Sequence, residues 1–214
     1  MTLSADIDRA ELSVLLDIRH PLSYLAFHPA VAFAESLGID INWLPLTAPT
    51  LSPPTEPRED DDRGIRHRRH RAQGIAREIE TYAAAQGLVL HDCHRSGDAN
   101  AANQGWLWLR DRHPDRLPSY LAELLRSYWS LELDPSSSEQ VAALVDALEA
   151  DGTSFLDWLA REGPPVAAAL AGELRDRGLF QVPAYVVGDE VFYGRQHLPM
   201  IRWLLRDRPG PGPI

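Results

Sequence analysis

The sequence predicts an α/β fold in which a β-α-β unit and a later β-β-α unit flank a large all-helical insertion. Near the start, a short apolar run, LSVLLDI at 12–18, is followed by apolar residues at helical spacing and then by an alternating segment. From Ile65 to about Arg177 the apolar residues keep a helical period almost throughout. Two short strand-like runs and a last helix then follow, so the period changes at both ends of the helical block.

The first unit is a strand, a helix and a second strand. The run at 12–18 has the length of a strand. Pro21 stands at a favourable first position of a helix and Gly38 at a favourable stop, so the segment between them is predicted to be one helix. IDINWLPL, at 39–46, alternates as a half-buried strand does. Strands joined through a helix are expected to be parallel, with a right-handed crossover.

A loop separates this unit from the helical block. TAPTLSPPTEPREDDDRG, at 47–64, is rich in proline and acidic residues and marks a boundary. Six helices are predicted after it, several beginning at Ser, Thr or Asn caps such as Asn100. Their segments are IAREIETYAAAQG, NAANQGWLWLRDR, SYLAELLRSYWSLEL, SSSEQVAALVDALEA, TSFLDWLAREG and PPVAAALAGELRDRG.

The last unit is a hairpin followed by a helix. VPAYVV and EVFYG are typical of strands, and Gly188-Asp189 between them is a residue pair of tight hairpins. LPMIRWLLRDR, at 198–208, is the last predicted helix. We therefore predict one domain built from residues 10–50 and 175–208, an inserted helical domain at 60–174 and a tail at 209–214.

Composition limits the function classes. The formal net charge of -10 argues against a nucleic acid or an anionic membrane as the main partner. The basic residues are all arginine, which excludes a Schiff-base lysine. The single cysteine, Cys93, cannot form an internal disulfide, and the N-terminal segment is acidic before it is apolar, unlike a signal peptide. Because no apolar run reaches membrane-spanning length either, we expect a cytoplasmic protein.

Two stretches carry a resemblance to a known family. DIRHPLSYLA, at 17–26, resembles the first motif of a branch of the DsbA-like thioredoxin superfamily, the branch that holds 2-hydroxychromene-2-carboxylate isomerase and kappa-class glutathione transferase. GLFQVPAYVVGDEVFYGRQHL, at 178–198, resembles the C-terminal motif of that branch. The two motifs together are fairly specific, and the resemblance covers most of the chain. It implies a thioredoxin fold, with residues 10–50 and 175–208 as the thioredoxin-like domain.

The resemblance also implies a site at the start of the first helix, facing a cis-proline loop. It places the helix start at His20–Ser23 and the cis-proline at Pro183, with the backbone of Val182 offered to a thiol compound. A helix N-terminus stabilises an anion such as a thiolate through free N–H groups and the helix dipole. Redox relatives have Cys-Pro-x-Cys here, but this chain has neither cysteine, so dithiol–disulfide exchange through such a pair is excluded.

His20 stands where the glutathione-using relatives have a serine whose hydroxyl bonds the sulfur. A neutral imidazole N–H can donate to a thiolate, or the ring could take the proton of the thiol. Alternatively, His20 only caps the helix and the site is degenerate. Ser23, at the place of the second cysteine, is either a nucleophile activated by His20 or a polar residue of the first turn. Tyr24 and Asn100 either contact the ligand or serve as a packed residue and a helix cap, respectively.

The turn before the last helix departs from the family pattern. Gln196 stands where relatives have the acid that helps to hold the γ-glutamyl amine of glutathione, and His197 stands where they have an arginine, with Arg195 close by. Glutamine can accept a hydrogen bond but carries no charge. The resemblance implies glutathione or another low-molecular-weight thiol as cofactor, held near Arg195, Gln196 and His197.

Other clusters were weighed for metal and anion binding. HDCH at 91–94 and the histidines of HRRH at 67–70 are metal-ligand types, but zinc needs about four well-placed ligands, so no metal site is expected. The basic run RHRRHR follows EDDD and either pairs with it, is solvated, or holds the carboxylate of a substrate in the cleft. The tryptophans expected in the helical core are Trp106, Trp108, Trp129 and Trp158.

The leading functional hypothesis is a thiol-dependent isomerase or transferase of the 2-hydroxychromene-2-carboxylate isomerase kind, acting on a small acidic organic substrate. By resemblance, the thiol would add to a conjugated double bond, allow rotation and leave. The alternatives are a thiol-independent enzyme with His20 as general base, and a non-catalytic protein that binds a ligand with the same fold. The expected partners are small molecules and, by analogy with the family, a second copy in a homodimer, but neither nucleic acid nor membrane.

Overall fold

The structure, a computed structural model, describes residues 7–208 and 210–213. The N-terminal part of the chain forms β1 (Leu12–Leu16), α1 (Pro21–Leu37) and β2 (Ile41–Pro45). Pro21 occupies the first turn of α1, and the helix ends at Gly38, whose φ of 69° is a left-handed conformation that glycine adopts without strain. Pro21 and Gly38 therefore mark the two ends of this helix, as predicted.

Six helices form the insertion, and their order is the predicted one. The first begins earlier than predicted, because the side chain of Asp62 accepts a hydrogen bond from the amide of Ile65 at 2.7 Å and caps it. The helices are α2 (Arg63–Ala85), α3 (Asn100–Arg112), α4 (Leu117–Trp129), α5 (Ser138–Ala147), α6 (Gly152–Arg161) and α7 (Gly163–Asp176).

The C-terminal part completes the sheet. It contains β3 (Ala184–Val187), β4 (Glu190–Tyr193), a short 3₁₀ turn (Arg195–His197) and α8 (Leu198–Leu205). The strand order is β2-β1-β3-β4, in which β1 is parallel to β2 and antiparallel to β3, and β3 is antiparallel to β4. Residues 210–213 contain no helix or strand, and the rest of the predicted tail, residues 209 and 214, lies outside the described residues.

The hydrophobic core runs from the sheet into the insertion without a break. One cluster of buried side chains contains β1, β2 and β3 together with α3, α4 and α5. Trp106 of α3 is fully buried, and its indole N–H donates to the carbonyl of Trp43 in β2 at 3.1 Å. All four tryptophans expected in the core are buried. Through the hydrogen bond to Trp43, Trp106 also joins the insertion to the sheet. The predicted α/β fold with a helical insertion is confirmed.

One predicted cap is wrong. Asn100 is the first residue of α3 rather than its cap, and the capping position is held by Ala99, which makes no side-chain hydrogen bond there. Instead, the carboxylate of Asp98 accepts the amide hydrogen of Asn100 at 2.9 Å. Ser137 does cap α5, by accepting the amide of Gln140 at 3.2 Å. Among the described residues, no helix combines the length and hydrophobicity that crossing a membrane requires.

Candidate active site at the start of the first helix

His20 lies at the junction of β1 and α1 and caps the helix. Its Nδ1 atom accepts the amide hydrogen of Leu22 at 3.3 Å, and its own amide donates to the carbonyl of Asp17 at 3.0 Å. Only 7% of the residue is exposed. The backbone and the cap therefore fix the imidazole at the end of the helix where free amides collect.

The cap determines the protonation of the ring. Because Nδ1 accepts a hydrogen bond, the single proton of the neutral ring is assigned to Nε2, which makes no hydrogen bond to any residue that the structure describes. Burial lowers the pKa of His20, the carboxylate of Asp17 raises it and the guanidinium of Arg19 lowers it, with a lowered value as the result. At neutral pH, His20 thus presents an N–H donor and no positive charge.

Asp17 and Arg19 form a buried ion pair beside His20, which the sequence did not reveal. Arg19 donates from Nη2 to one oxygen of Asp17 at 2.7 Å and from Nε to the other at 3.0 Å. Asp17 also accepts the amide hydrogen of Ala48 at 2.9 Å. Arg19 reaches further, to the carbonyl of Gly97 at 2.9 Å. The pair therefore ties the start of α1 to the loop after β2 and to the segment before α3.

Ser23 supports the same junction from inside. It is fully buried, and its hydroxyl oxygen accepts the amide hydrogen of Asp17 at 3.1 Å. In this geometry the hydroxyl does not reach the surface of the protein. Pro21, at the first position of α1, is buried as well.

Aromatic side chains cover one flank of the helix start. Tyr24 is buried and stacks on Trp129 of α4, with the ring centroids 6.4 Å apart and the planes within 6° of parallel. The neighbouring Tyr128 is also buried, and its hydroxyl has no hydrogen-bond partner within the described ranges. The guanidinium of Arg95 lies 4.1 Å from the centroid of the Tyr128 ring. Tyr128 and Arg95 are flanking residues that sequence reasoning missed, because no local pattern links α4 to α1.

The sheet brings the proline loop to the same end of the molecule. Because β1 and β3 are antiparallel, with Leu15 opposite Ala184, the residues before β3 lie beside those that follow β1. The Val182–Pro183 peptide bond is cis. The amide and carbonyl of Val182 make no backbone hydrogen bond within the described part of the chain, whereas the carbonyl of Pro183 accepts from Gly194 at 2.9 Å. The backbone groups of Val182 are thus unpaired, and 8% of the residue is exposed.

All three residues of the turn before α8 contact other residues of the protein. The guanidinium of Arg195 lies 3.9 Å from the centroid of the Tyr82 ring and donates to the carbonyl of Leu25 at 3.4 Å. Gln196 is exposed and donates from its side-chain amide to the carbonyl of Tyr193 at 2.9 Å. The ring of His197 packs on Phe192. Arg195 therefore sits against the second turn of α1 rather than at its start.

A cavity of about 700 Å³ opens between the loop before α2 and the first turns of that helix. Its arginines are Arg58, Arg68 and Arg69, of which Arg69 is buried and pairs with Asp61. The expected pairing of the basic and acidic runs thus holds for Arg69. Arg58 and Arg68 line the cavity, are exposed and form no ion pair with any residue that the structure describes.

This cavity follows, along the chain, a residue of an apolar cluster to which α1 and α2 both contribute. Leu51, directly before the cavity residue Ser52, belongs to the same apolar cluster as Leu22. His20 itself is not a lining residue. None of the residues that line the cavity belongs to α1.

The metal-ligand types found in the sequence do not converge. Among residues 7–208 and 210–213, no group of three or more His, Cys, Asp or Glu side chains could hold a metal ion.

Cys93 is buried, and burial raises the pKa of its thiol, with Asp92 and Glu80 raising it further. The thiol is accordingly protonated at neutral pH, which makes it a poor nucleophile.

Comparisons with known proteins agree on one fold. The family model described as the DSBA-like thioredoxin domain matches residues 11–206. Among solved structures, 2-hydroxychromene-2-carboxylate isomerase is 16% identical, with a TM-score of 0.70 over 92% of this chain and 94% of the other. No curated protein sequence matches the chain.

Two oxidoreductase-like structures have the same fold. A probable DsbA oxidoreductase from Streptomyces coelicolor is 19% identical, with a TM-score of 0.67 over 96% of this chain and 92% of the other. The cytosolic disulfide reductase DsbM from Pseudomonas aeruginosa, solved with glutathione, is 15% identical, with a TM-score of 0.58 over 92% and 98% of the two chains. At these identities the similarity is one of fold.

Proposed function

Because this chain belongs to the DSBA-like thioredoxin domain family, we propose that it is a thiol-dependent isomerase or transferase of small acidic organic molecules, in which His20 holds the sulfur. The observation that carries the proposal is the hydrogen bond that His20 Nδ1 accepts from the amide of Leu22 at 3.3 Å. This Nδ1 atom is used by the cap, so the remaining ring nitrogen offers a donor at the helix start. A serine hydroxyl would offer the same kind of donor there.

The geometry favours a donor over a general base. A base needs a free lone pair, but the one lone pair of the neutral imidazole is directed at the amide of Leu22. The lowered pKa keeps the ring uncharged. The free amides and the dipole at the start of α1 stabilise a bound thiolate independently of His20. His20 therefore acts by stabilising the sulfur anion rather than by removing a proton from the substrate.

A low-molecular-weight thiol fits the residues that face this end of the sheet. Val182 offers unpaired backbone groups to a peptide-like thiol compound such as glutathione. When bound, such a thiol supplies a nucleophilic sulfur that can add reversibly to a conjugated double bond. Gln196 brings no charge for a γ-glutamyl amine, and its side chain is already bonded to Tyr193. Glutathione and other thiols of similar size are therefore both candidates.

The acidic group of the substrate is assigned to Arg58 and Arg68. Both line the cavity between the loop before α2 and the first turns of that helix, and neither forms an ion pair with a residue that the structure describes. A guanidinium binds a carboxylate through paired, charge-assisted hydrogen bonds. Two other arginines already form ion pairs, Arg19 with Asp17 and Arg69 with Asp61.

The test is calorimetric titration of the purified protein with glutathione, and then with cysteine and coenzyme A. We expect His20→Ala to weaken thiol binding by about tenfold or more, since it removes a charge-assisted hydrogen bond. His20→Ser should keep binding within about threefold, because the hydroxyl restores a donor. His28→Ala, an exposed histidine on the same helix, is the matched control and should leave binding unchanged.

Two results would overturn the proposal. If no thiol binds to any form of the protein, a ligand-binding role without thiol chemistry takes its place. If the thiol binds equally well to the wild type and to His20→Ala, the sulfur lies elsewhere.

A further inference from the structure

The cavity between the loop before α2 and the first turns of that helix is built around a buried arginine. Arg69 lines the cavity, and only 8% of the residue is exposed. Its Nε atom donates to the carbonyl of Thr55 at 2.7 Å. Its Nη2 atom donates to the carbonyl of Glu56 at 3.0 Å and to the carboxylate of Asp61. These contacts fix the guanidinium against the loop.

One edge of the Arg69 guanidinium remains open. A guanidinium has five N–H donors, and the hydrogen bonds to the loop use those of Nε and Nη2. The Nη1 atom, with two more donors, makes no hydrogen bond to any residue that the structure describes, and it is not closed off from solvent. Because Arg69 lines the cavity and is otherwise enclosed, Nη1 offers two charged donors to a ligand there.

Two further guanidinium groups come from separate segments of the cavity wall. Arg58 and Arg68 line the cavity, and neither forms an ion pair within the described ranges. The amide of Arg58 donates at 2.9 Å to Asp61, whose carboxylate also pairs with Arg69, so the loop carries Arg58 at a fixed place relative to Arg69. A Cβ added at Gly64 would lie 3.4 Å from Arg68 Nη1. The guanidinium of Arg68 therefore lies along the first turn of α2, where the helix dipole adds positive potential.

The number of open donors selects the kind of acid. A carboxylate has two oxygens and is satisfied by one guanidinium edge. Here three guanidinium groups have open donors, which matches a ligand with a second carboxylate, or a phosphate with its three terminal oxygens and roughly two negative charges. The remaining wall includes Pro53, Pro54, Ile65 and Ala72, which suit an organic body. The volume of about 700 Å³ is typical of a site for a whole small molecule.

We propose that this cavity binds a small organic dianion, either a dicarboxylate or a phosphate monoester, in preference to a monocarboxylate. The proposal rests on the proposed function where it makes this dianion the acidic part of the substrate. Binding of the dianion itself requires neither His20 nor a thiol. Glu56 also lines the cavity and forms no ion pair with the described part of the chain. Its carboxylate opposes an anion, so its neutralisation should strengthen binding.

The test is calorimetric titration with phenyl phosphate, phthalate and benzoate, without a thiol and at about pH 8, where the phosphate is a dianion. At least one of the two dianions should bind about tenfold or more tightly than benzoate, and the tighter of the two identifies the acid. Arg58→Gln and Arg68→Gln should each weaken dianion binding by about fivefold or more. Arg66→Gln, at an exposed arginine of α2 that does not line the cavity, is the matched control and should change binding by less than about twofold.

A second pair of variants tests the sign of the charge. Glu56→Gln should strengthen dianion binding by about twofold or more, whereas Glu59→Gln, at an exposed carboxylate outside the cavity, should leave it unchanged. Equal affinity for benzoate and for both dianions, or no binding of any of the three, would overturn the proposal. An equal effect of Arg58→Gln, Arg68→Gln and Arg66→Gln would place the anion outside the cavity and overturn it as well.

The same titrations separate this proposal from the proposed function. His20→Ala should bind the dianion normally. Dianion binding to a protein that binds no thiol would leave the cavity site standing and overturn the thiol-dependent activity. Thiol binding that is lost in His20→Ala, without any preference for a dianion, would do the reverse.

Discussion

Asp17 and Arg19 are joined by two side-chain hydrogen bonds, and their largely buried pair connects three segments at the start of α1. The carboxylate is almost fully buried, and it also accepts the amide hydrogens of Arg19 and Ala48. A buried pair of this kind depends on both partners, because removal of one leaves an uncompensated charge in a region of low polarity.

We expect Asp17→Ala to lower the free energy of unfolding by about 3–5 kcal/mol, since it strands the Arg19 guanidinium. Urea denaturation measures this change. The matched control is Asp111→Ala, which breaks an equally short 2.7 Å pair with Arg9 on the surface. The control should cost less than about 1 kcal/mol. Equal losses in the two variants would show that burial does not set the strength of the Asp17–Arg19 pair.

The lowered pKa of His20 makes stability depend on pH. Because the folded-state pKa lies below the ordinary value of 6.5, the unfolded chain binds this proton more readily than the folded chain. The contribution of His20 to stability is thus complete above pH 6.5 and is lost as the pH falls through the folded-state value. His20→Asn keeps a capping acceptor but cannot titrate.

The free energy of unfolding of His20→Asn should therefore fall less steeply than that of the wild type between about pH 7 and pH 5.5. Chemical denaturation at a series of pH values provides the slopes. Parallel slopes would mean that His20 protonates without cost in the folded protein.

Ser23 should matter for stability and not for thiol binding. Ser23→Ala leaves the buried amide of Asp17 without an acceptor, which we expect to cost about 1–3 kcal/mol. Ser154→Ala, at an exposed hydroxyl that donates to Asp151, is the control and should cost less than about 1 kcal/mol. Thiol affinity, measured by calorimetry on folded protein, should not change in Ser23→Ala. A large loss of affinity without a loss of stability would give Ser23 a direct role.

Two helical glycines should respond in opposite ways to alanine. At Gly105 in α3, a Cβ would lie 2.6 Å from the hydroxyl of Tyr120 and 2.9 Å from Val141 Cγ1, so Gly105→Ala should destabilise the protein by about 1–3 kcal/mol. At Gly74 in α2, no atom lies within 4 Å of an added Cβ. Gly74→Ala should stabilise by up to about 1 kcal/mol, because alanine favours the helix. Thermal unfolding of both variants decides the sign.

The elements that sequence reasoning placed well have local causes. Pro21 and Gly38 bound α1, and Gly188-Asp189 forms the turn between β3 and β4, because each residue type suits the backbone at its own position. Asn100 shows the limit of that reasoning. An asparagine before a helical run predicts a cap, but Asp98 lies two residues earlier and bonds the first amide instead.

The candidate site was only partly predictable for a different reason. The position of His20 follows from the start of the helix, and the place of Val182 from the resemblance of the proline segment. The contacts that surround His20 come from distant parts of the chain, such as Arg19 with Gly97 and Tyr24 with Trp129. No periodic pattern encodes such pairs, because tertiary packing alone brings them together.

The placement of the insertion has a consequence for how the protein is made. β1 lies inside the sheet, but its two neighbours come from opposite ends of the helical block, β2 at Ile41–Pro45 and β3 at Ala184–Val187. During synthesis, β1 can pair with β2 early, while its other edge waits for β3 on the order of 10 s at ordinary translation rates. An unpaired strand edge invites pairing with other chains. Rapid formation of the six intervening helices from local contacts, before the sheet closes, would shorten the search for β3 and limit aggregation on the ribosome.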